Sequence, residues 1–258
     1  MTLNRLSNSL FVLVLTAMST AWWFLSISLW WFFLPVSIWI AFKVLGAIFI
    51  QWNFYFFSHT QARTNERMVA LTFDDGPDEV HTPDLLKLLA EFEVPATFFV
   101  IGEKVKKNPN LLKDVHERHH LIGNHSYTHA RYFDFFNFSR MFNELIHTRE
   151  LIYKILGIKT LIFRPPYGVT NPTLARVVRR LGFVSVGWSI RSLDTVKSLK
   201  NTLEKLQRDT HPGGIVLLHD TTPHIVDLTR NYLSWLRENH YRVVPLNQLL
   251  NIQVYEYQ

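Results

Sequence analysis

The chain has 258 residues, 48% of them hydrophobic, with 27 Lys and Arg against 21 Asp and Glu, a formal net charge of +6. That length holds one substantial domain plus an accessory segment, and the mild positive charge forms no basic stripe of the kind that marks a nucleic-acid partner. No cysteine is present, which excludes disulfides and thiolate metal ligands together, so any metal has to be held by histidine and carboxylate.

In chain order the first elements are apolar. Between Arg5 and Arg63 the only formal charge is Lys43. Residues 9–34 are long enough to cross a bilayer, which takes roughly 20 apolar residues, and 38–57 suffice for a second crossing, with Pro35 as the turn between them. A secretory signal competes: Arg5 precedes an apolar run from Leu10, and Ser19-Thr20-Ala21 resembles a cleavage site. The apolar stretch nevertheless continues through Trp22, Trp23, Trp30 and Trp31, residues suited to a membrane interface. The reading is an N-terminal membrane anchor over 1–62, one or two transmembrane helices in contact with lipid. In a hairpin, Lys43 would snorkel toward a cytoplasmic turn and both ends would face outward. The remainder, 63–258, lies beyond a polar boundary at 58–67 and is expected to be extracytoplasmic.

After Arg63, short β-branched or aromatic runs alternate with longer amphipathic stretches, the pattern of repeated βα units. Strands are predicted at 69–73, 96–101, near Leu121 and Ile122, and at 161–163, 183–190, 215–218 and 243–245. Helices are predicted at 82–92, with Thr82 as N-cap and Pro83 at the first position, and at 109–118, 139–156 (ended by Gly157), 172–181, 198–209 and 224–238. Asp74, Asp75, His125, Arg164, Asp194 and His219 each follow a strand directly or closely. In a barrel of parallel strands, chemistry gathers at the strands' C-terminal ends, so these six residues can share one face. The stretch is short for a complete eight-unit barrel. The fold class expected is therefore α/β, an incomplete or distorted (β/α) barrel preceded by an N-terminal transmembrane helical segment.

His125 and His129 are spaced i, i+4, which on a helical turn sets both imidazoles on one side, within reach of a single ion. Asp75 is the third candidate ligand. Two histidines and a carboxylate leave coordination positions open, as a catalytic metal requires, and amide or ester hydrolysis is the chemistry such a site suits. The same ligand set also serves iron oxygenases, but no cosubstrate site is evident. Either motif alone carries little, and it is their joint occurrence behind strands that informs.

Five blocks, TFDDGP at 72–77, HSYTH at 125–129, RPPYG at 164–168, WSIRSLD at 188–194 and LLHD at 217–220, resemble in this order the polysaccharide deacetylase family, the NodB-type carbohydrate esterases. The resemblance spans about 68–250. It implies a NodB-type barrel and a metal-dependent hydrolase that removes N-acetyl, or O-acetyl, groups from an envelope or extracellular polysaccharide such as peptidoglycan or a chitin-like oligosaccharide. It implies that Asp75, His125 and His129 hold a divalent ion, zinc first and cobalt as an alternative. Asp74 would be the general base, oriented and kept ionised by Arg164. The backbone N–H of Tyr167 would face the oxyanion, and His219, held by Asp194, would be the general acid. Leu217 would line the pocket for the acetyl methyl, with Pro166 and Trp188 as further substrate contacts. The chain departs from the pattern at Arg191, where many members carry aspartate, and at Thr195, where many carry tryptophan, and both departures loosen the identity of the sugar. The alternative from another class is a catalytically silent carbohydrate-binding protein on the same fold.

Overall fold

The computed structural model describes residues 2–257. Two helices lead, α1 (Leu3–Leu25) and α2 (Phe33–Ile48), joined through a left-handed Ser26 (φ 51°) and a 3-10 turn at Leu29–Phe32. Leu3–Leu25 and Leu29–Ile48 are each long and apolar enough to cross a membrane, and only 0% and 6% of their apolar windows are buried in protein, so neither is a core helix. The turn between them is not at Pro35, which falls in the first turn of α2. A proline there gives up only an N–H that has no intrahelical partner, so it starts the helix instead of breaking it.

Lys43 does not reach toward the hairpin tip either. Its ammonium donates to the side-chain oxygens of Asn4 and Asn8 at the opposite, open end of the hairpin. There the Asn4 N–H also donates to the carbonyl of Phe54 at 3.0 Å, tying the start of α1 to the chain beyond α2.

The second part opens with β1 (Ser58–His59) and β2 (Met68–Asp74), followed by α3 (Thr82–Glu91), β3 (Thr97–Val100), α4 (Gly102–Lys107), α5 (Pro109–Glu117) and β4 (Leu121–Asn124). Next come α6 (Phe138–Leu156), β5 (Ile158–Thr160), β6 (Ile162–Phe163), α7 (Pro172–Leu181), β7 (Val184–Val186) and β8 (Ile190–Arg191). The chain ends through α8 (Leu199–Asp209), β9 (Gly214–His219), α9 (Ile225–Glu238), β10 (Arg242–Val243), α10 (Leu246–Leu250) and β11 (Tyr255–Tyr257).

The strands run in the order β1-β7-β6-β4-β3-β2-β9-β8, with β10 also on β2, and every pair is parallel. This is a half-barrel clad in helices, the distorted (β/α) barrel expected. β2 runs through its middle and is buried from Val69 to Asp74. A parallel strand covered on both faces reads as such a continuous apolar run, and each buried Val, Leu or Phe contributes about 1.5–3 kcal/mol.

The barrel opens where a single strand over 183–190 was expected. Gly187, Trp188 and Ser189 leave the ladder, splitting that run into β7 and β8. The chain emerging from α2 fills the seam. Ser58 and His59 pair with Ser185 and Val186, Gln61 bridges Gly214, and the Ala62 N–H donates to the Gly213 carbonyl at 2.8 Å. Ile50, 2% exposed, packs with Trp188 and Leu217 inside the opening.

Local signals mostly hold. Asn137, Asn171 and Ser198 accept N–H bonds at the starts of α6, α7 and α8, and Gly157 (φ 69°) ends α6. Thr82 differs from expectation, because its hydroxyl donates to Asp220 Oδ2 at 2.6 Å and accepts the Asp78 N–H, while Asp78 Oδ1 takes the N–H groups of Val80 and His81.

Candidate active site

At the C-terminal ends of the strands lies a cavity of about 260 Å³ bordered by Asp74, Asp75, His125, His129, Tyr167, Trp188, Leu217 and His219. Asp74 ends β2 and Asp75 follows it. Simple strand alternation would send the two carboxylates to opposite faces. Instead Asp75 takes a left-handed backbone (φ 73°), which turns its side chain back to the cavity that Asp74 borders. Such backbones gather around the site, at Ser126, His129, Tyr167 and Leu193, where strain is commonly stored for function.

Asp75 Oδ1 lies 3.5 Å from Nε2 of His125 and 3.5 Å from Nε2 of His129. The two histidines do not sit on a helical turn. They lie in the loop after β4, curled by left-handed Ser126 (φ 66°) and His129 (φ 49°), with ring centroids 4.8 Å apart. Glu144 of α6, almost fully buried, holds this loop: its Oε2 accepts the N–H groups of Tyr127 (3.0 Å) and Thr128 (2.8 Å), and its Oε1 accepts the Thr128 hydroxyl (2.8 Å). Asn124 Oδ1 accepts the Ser126 N–H at 2.9 Å. Glu144 escapes sequence reasoning because nothing distinguishes it from the other charges of an amphipathic helix.

His125 Nδ1 contacts the carbonyl oxygen of Arg164 at 2.8 Å. A carbonyl only accepts, so Nδ1 carries the proton and the Nε2 lone pair faces Asp75, the tautomer a metal ligand needs. Burial, helped by neighbouring His125, pushes His129 down to about 4, which keeps it neutral and able to coordinate. Burial alone would raise the Asp75 carboxyl, but His125, His129, His219 and Lys104 outweigh it and hold it below its usual value.

The residues present fit a divalent ion. Asp75 Oδ1 is buried and has no hydrogen-bond partner, and the three candidate ligand atoms lie within 4.8 Å of one another. Tetrahedral zinc with bonds of about 2.0–2.1 Å separates its ligand atoms by about 3.3 Å, close to the 3.5 Å from Asp75 Oδ1 to each imidazole nitrogen.

Asp74 is held differently. Its Oδ1 accepts Nη1 of Arg164 at 2.7 Å, while Oδ2 is left toward the cavity, 3.8 Å from His125 Nε2. Arg164 is wholly buried and donates further to Thr72 Oγ1 and to the carbonyls of Val186 and Gly187, with its guanidinium 4.2 Å over the Phe99 ring. Burial lowers its pKa and Asp74 opposes that, so a charged guanidinium is matched by a carboxylate, a hydroxyl and two carbonyls.

Also at the cavity, His219 Nδ1 meets Asp194 Oδ1 at 2.8 Å, and Asp194 Oδ2 accepts the His219 N–H at 2.8 Å. The Ser192 hydroxyl donates to the same carboxylate at 2.8 Å. Burial works against an imidazolium here, yet the hydrogen bond and charge of Asp194, with Asp74 and Asp75, outweigh it and push His219 up to about 9. At neutral pH it holds a proton to give.

Leu217 and Trp188, 3% and 6% exposed, form the apolar wall. Gly168 (φ 70°) approaches Trp188 so closely that a Cβ would lie 2.3 Å from its ring, which demands glycine twice over. The Tyr167 hydroxyl donates to the His129 carbonyl at 3.3 Å. Pro166 is buried and does not border the cavity, whereas Pro165 does, as do Arg191 and Thr195. Among the histidines outside the blocks, His120 is structural, buried and accepting the Ala96 N–H at 3.2 Å.

A family profile described as polysaccharide deacetylase matches residues 61–186. A peptidoglycan-N-acetylglucosamine deacetylase of Bacillus cereus is 34% identical over 195 residues, covering 72% of this chain and 89% of that one. The crystal structure of a peptidoglycan N-acetylglucosamine deacetylase in complex with 4-naphthalen-1-yl-N-oxidanyl-benzamide superposes with a TM-score of 0.72 at 30% identity, covering 76% of this chain and 94% of that one. A CE4 family pseudoenzyme from Bacillus anthracis superposes with a TM-score of 0.69 at 26% identity, covering 74% of this chain and 67% of that one. The seamed barrel, the residues at its mouth and an identity that runs over most of a relative's length converge: the chain belongs to the polysaccharide deacetylase family.

Proposed function

We propose that residues 63–258 form a metal-dependent deacetylase acting on an acetylated cell-wall or other envelope polysaccharide, and that residues 1–62 anchor it in a membrane with the barrel on the extracytoplasmic side. The observation that carries the chemistry is the buried Asp75 oxygen without a hydrogen-bond partner, set between two imidazole nitrogens and flanked by a braced carboxylate and a protonated histidine. The names of the relatives support the polymer class, and the apolar, unburied helices support the anchor.

A divalent ion held by Asp75, His125 and His129, zinc first and cobalt second, would supply Lewis acidity that activates water and polarises the acetyl carbonyl. Asp74 Oδ2 takes the proton of the attacking water, steadied by Arg164 through Oδ1. The Tyr167 N–H donates to the oxyanion. His219, its Nδ1 held by Asp194, delivers the proton on Nε2 to the leaving amine. Leu217 and Trp188 keep water from the acetyl methyl. N-acetyl is the favoured group, with O-acetyl as the variant to test. Arg191 sets a cation at the mouth and Thr195 removes bulk there, so the sugar differs in charge and girth from one that meets an aspartate and a tryptophan.

Mass spectrometry of defined acetylated oligosaccharides incubated with the zinc-loaded chain tests this. Loss of one acetyl mass is expected, abolished by chelation and by Asp74→Asn, and activity that survives both removes the mechanism. The silent carbohydrate-binding reading draws on the pseudoenzyme neighbour. Glycan binding without acetate release at full metal loading would favour it. Protease accessibility of the barrel in intact cells decides its side of the membrane.

A further inference from the structure

At the base of the hairpin, between the start of α1 and α7, lies a second cavity of about 810 Å³. Arg5, Arg176 and Arg179 border it together with Trp52, Tyr55 and Phe57, and no carboxylate does. Among the described residues none of the three guanidiniums forms an ion pair; Arg176 only touches Thr173 Oγ1 at 3.4 Å and lies 5.8 Å from the Phe138 ring. Like charges gathered without a counterion repel one another, and guanidinium is the side chain best matched to phosphate oxygens.

The depth of this cavity selects the anion. Arg5 stands in the first turn of α1, and Trp52 follows the end of α2, so the charges and aromatic rings sit where both apolar helices terminate. That is the level of lipid headgroups, where tryptophan, tyrosine and basic residues concentrate. The helix surfaces leading away from it are apolar and unburied, as acyl chains require. The opposite end of the hairpin, 26–32, carries no charge.

We propose that this cavity binds the phosphate of an anionic phospholipid headgroup, an inference that rests on the membrane anchor proposed above. Bound there, the lipid would seat the catalytic mouth at the bilayer surface, because the hairpin exit is built into the mouth. Thr170 donates its N–H to the Ala47 carbonyl at 2.9 Å, Gln51 Nε2 donates to the Trp188 carbonyl at 3.2 Å, and Ile50 packs on Trp188 and Leu217.

The test uses the full chain in nanodiscs of phosphatidylcholine with or without phosphatidylglycerol, with retained lipid identified by native mass spectrometry. Retention of phosphatidylglycerol over phosphatidylcholine by about tenfold or more is expected, falling toward parity with added salt and in the combined Arg5→Gln, Arg176→Gln, Arg179→Gln variant. Parity in the parent chain, a preference indifferent to salt, or an unchanged preference in the variant overturns the proposal. Inorganic phosphate is the second arm: if phosphate alone raises the melting temperature as much as the lipid does, the ligand is a free anion and the lipid assignment fails. The salt series keeps the test decisive should the variant not fold. Carbonate extraction of native membranes reads the anchor separately, since a chain washed off by carbonate refutes the anchor itself.

Discussion

The two walls of the catalytic cavity are built on opposite principles. On one wall Asp194 uses both oxygens, on the His219 ring, the His219 N–H and the Ser192 hydroxyl, and Arg164 spends its donors on Asp74, Thr72 and two carbonyls. On the other, Asp75 Oδ1 is buried with no hydrogen-bond partner, 3.5 Å from Nε2 of each of two imidazoles. Buried polar groups are nearly always paired, so a bare oxygen between two imidazoles supports the cation site proposed above. In the proposed mechanism the satisfied wall sets protonation before substrate arrives, and the bare wall is kept for an ion.

If that contrast is right, removing a residue from each wall should have unequal consequences for the metal-free protein. Arg164→Met leaves Asp74, 3% exposed, as an uncompensated buried charge. Breaking such a pair costs about 3–5 kcal/mol, a large share of the ~5–15 kcal/mol that holds a domain together. Urea unfolding of the metal-free chain should show that loss, and an unchanged midpoint would mean the pair contributes nothing. Asp75→Asn should move the same midpoint much less, because Oδ1 has no hydrogen bond to lose and only the attraction of its charge to His125, His129, His219 and Lys104 goes. With zinc at about a hundredfold excess over its dissociation constant, the parent chain should gain ~2.7 kcal/mol and the Asp75 variant none. Equal zinc stabilisation of both would remove Asp75 from the ligand set.

Glu144 sharpens the comparison on a smaller scale, since it shapes the bare wall without touching the ion. Glu144→Ala frees the N–H groups of Tyr127 and Thr128 and lets the His125–His129 loop relax. Outer residues that orient metal ligands typically change affinity by about 10–100-fold, and a chelator competition titration should find zinc weakened within that range. Full retention of affinity would show that the left-handed turns at Ser126 and His129 hold the loop unaided.

How much of this was readable beforehand follows from the range of each interaction. Strand ends and helix caps are written locally, which is why Asp74, His125, Arg164 and His219 could be placed behind strands and Gly157 at the end of a helix. The five blocks are local too, and they carry the candidate ligand set. Glu144 was invisible because its partners lie 16 and 17 positions away with no pattern linking them. An i, i+4 spacing predicts a helical turn at His125 and His129, but two left-handed residues bring the rings together equally well. The seam between β7 and β8 was missed for a related reason. Val184, Val186, Trp188 and Ile190 alternate with Ser185, Gly187 and Ser189, the period of a single strand, and only the insertion of the hairpin exit shows that Trp188 leaves the sheet.

The finest distinction between the walls lies in pH. His219 is raised from 6.5 to about 9, so between those values the folded protein holds a proton that the unfolded chain has released. Its contribution is therefore complete below about pH 6.5 and disappears as pH rises through about 9. Other groups act below this window. Asp220, buried and raised from 3.8 to about 7, lowers stability as pH climbs to 7, while His129, depressed from 6.5 to about 4, raises it between 4 and 6.5. His129 has finished titrating by pH 7 and Asp220 by about pH 8, so a fall in the stability of the metal-free chain between 8 and 9 belongs to His219. Asp194→Asn removes the carboxylate that raises it, and the slope should flatten, with the His219 midpoint followed by NMR moving down from about 9. A slope that survives the substitution would place its origin elsewhere and leave Asp194 as a purely positional partner.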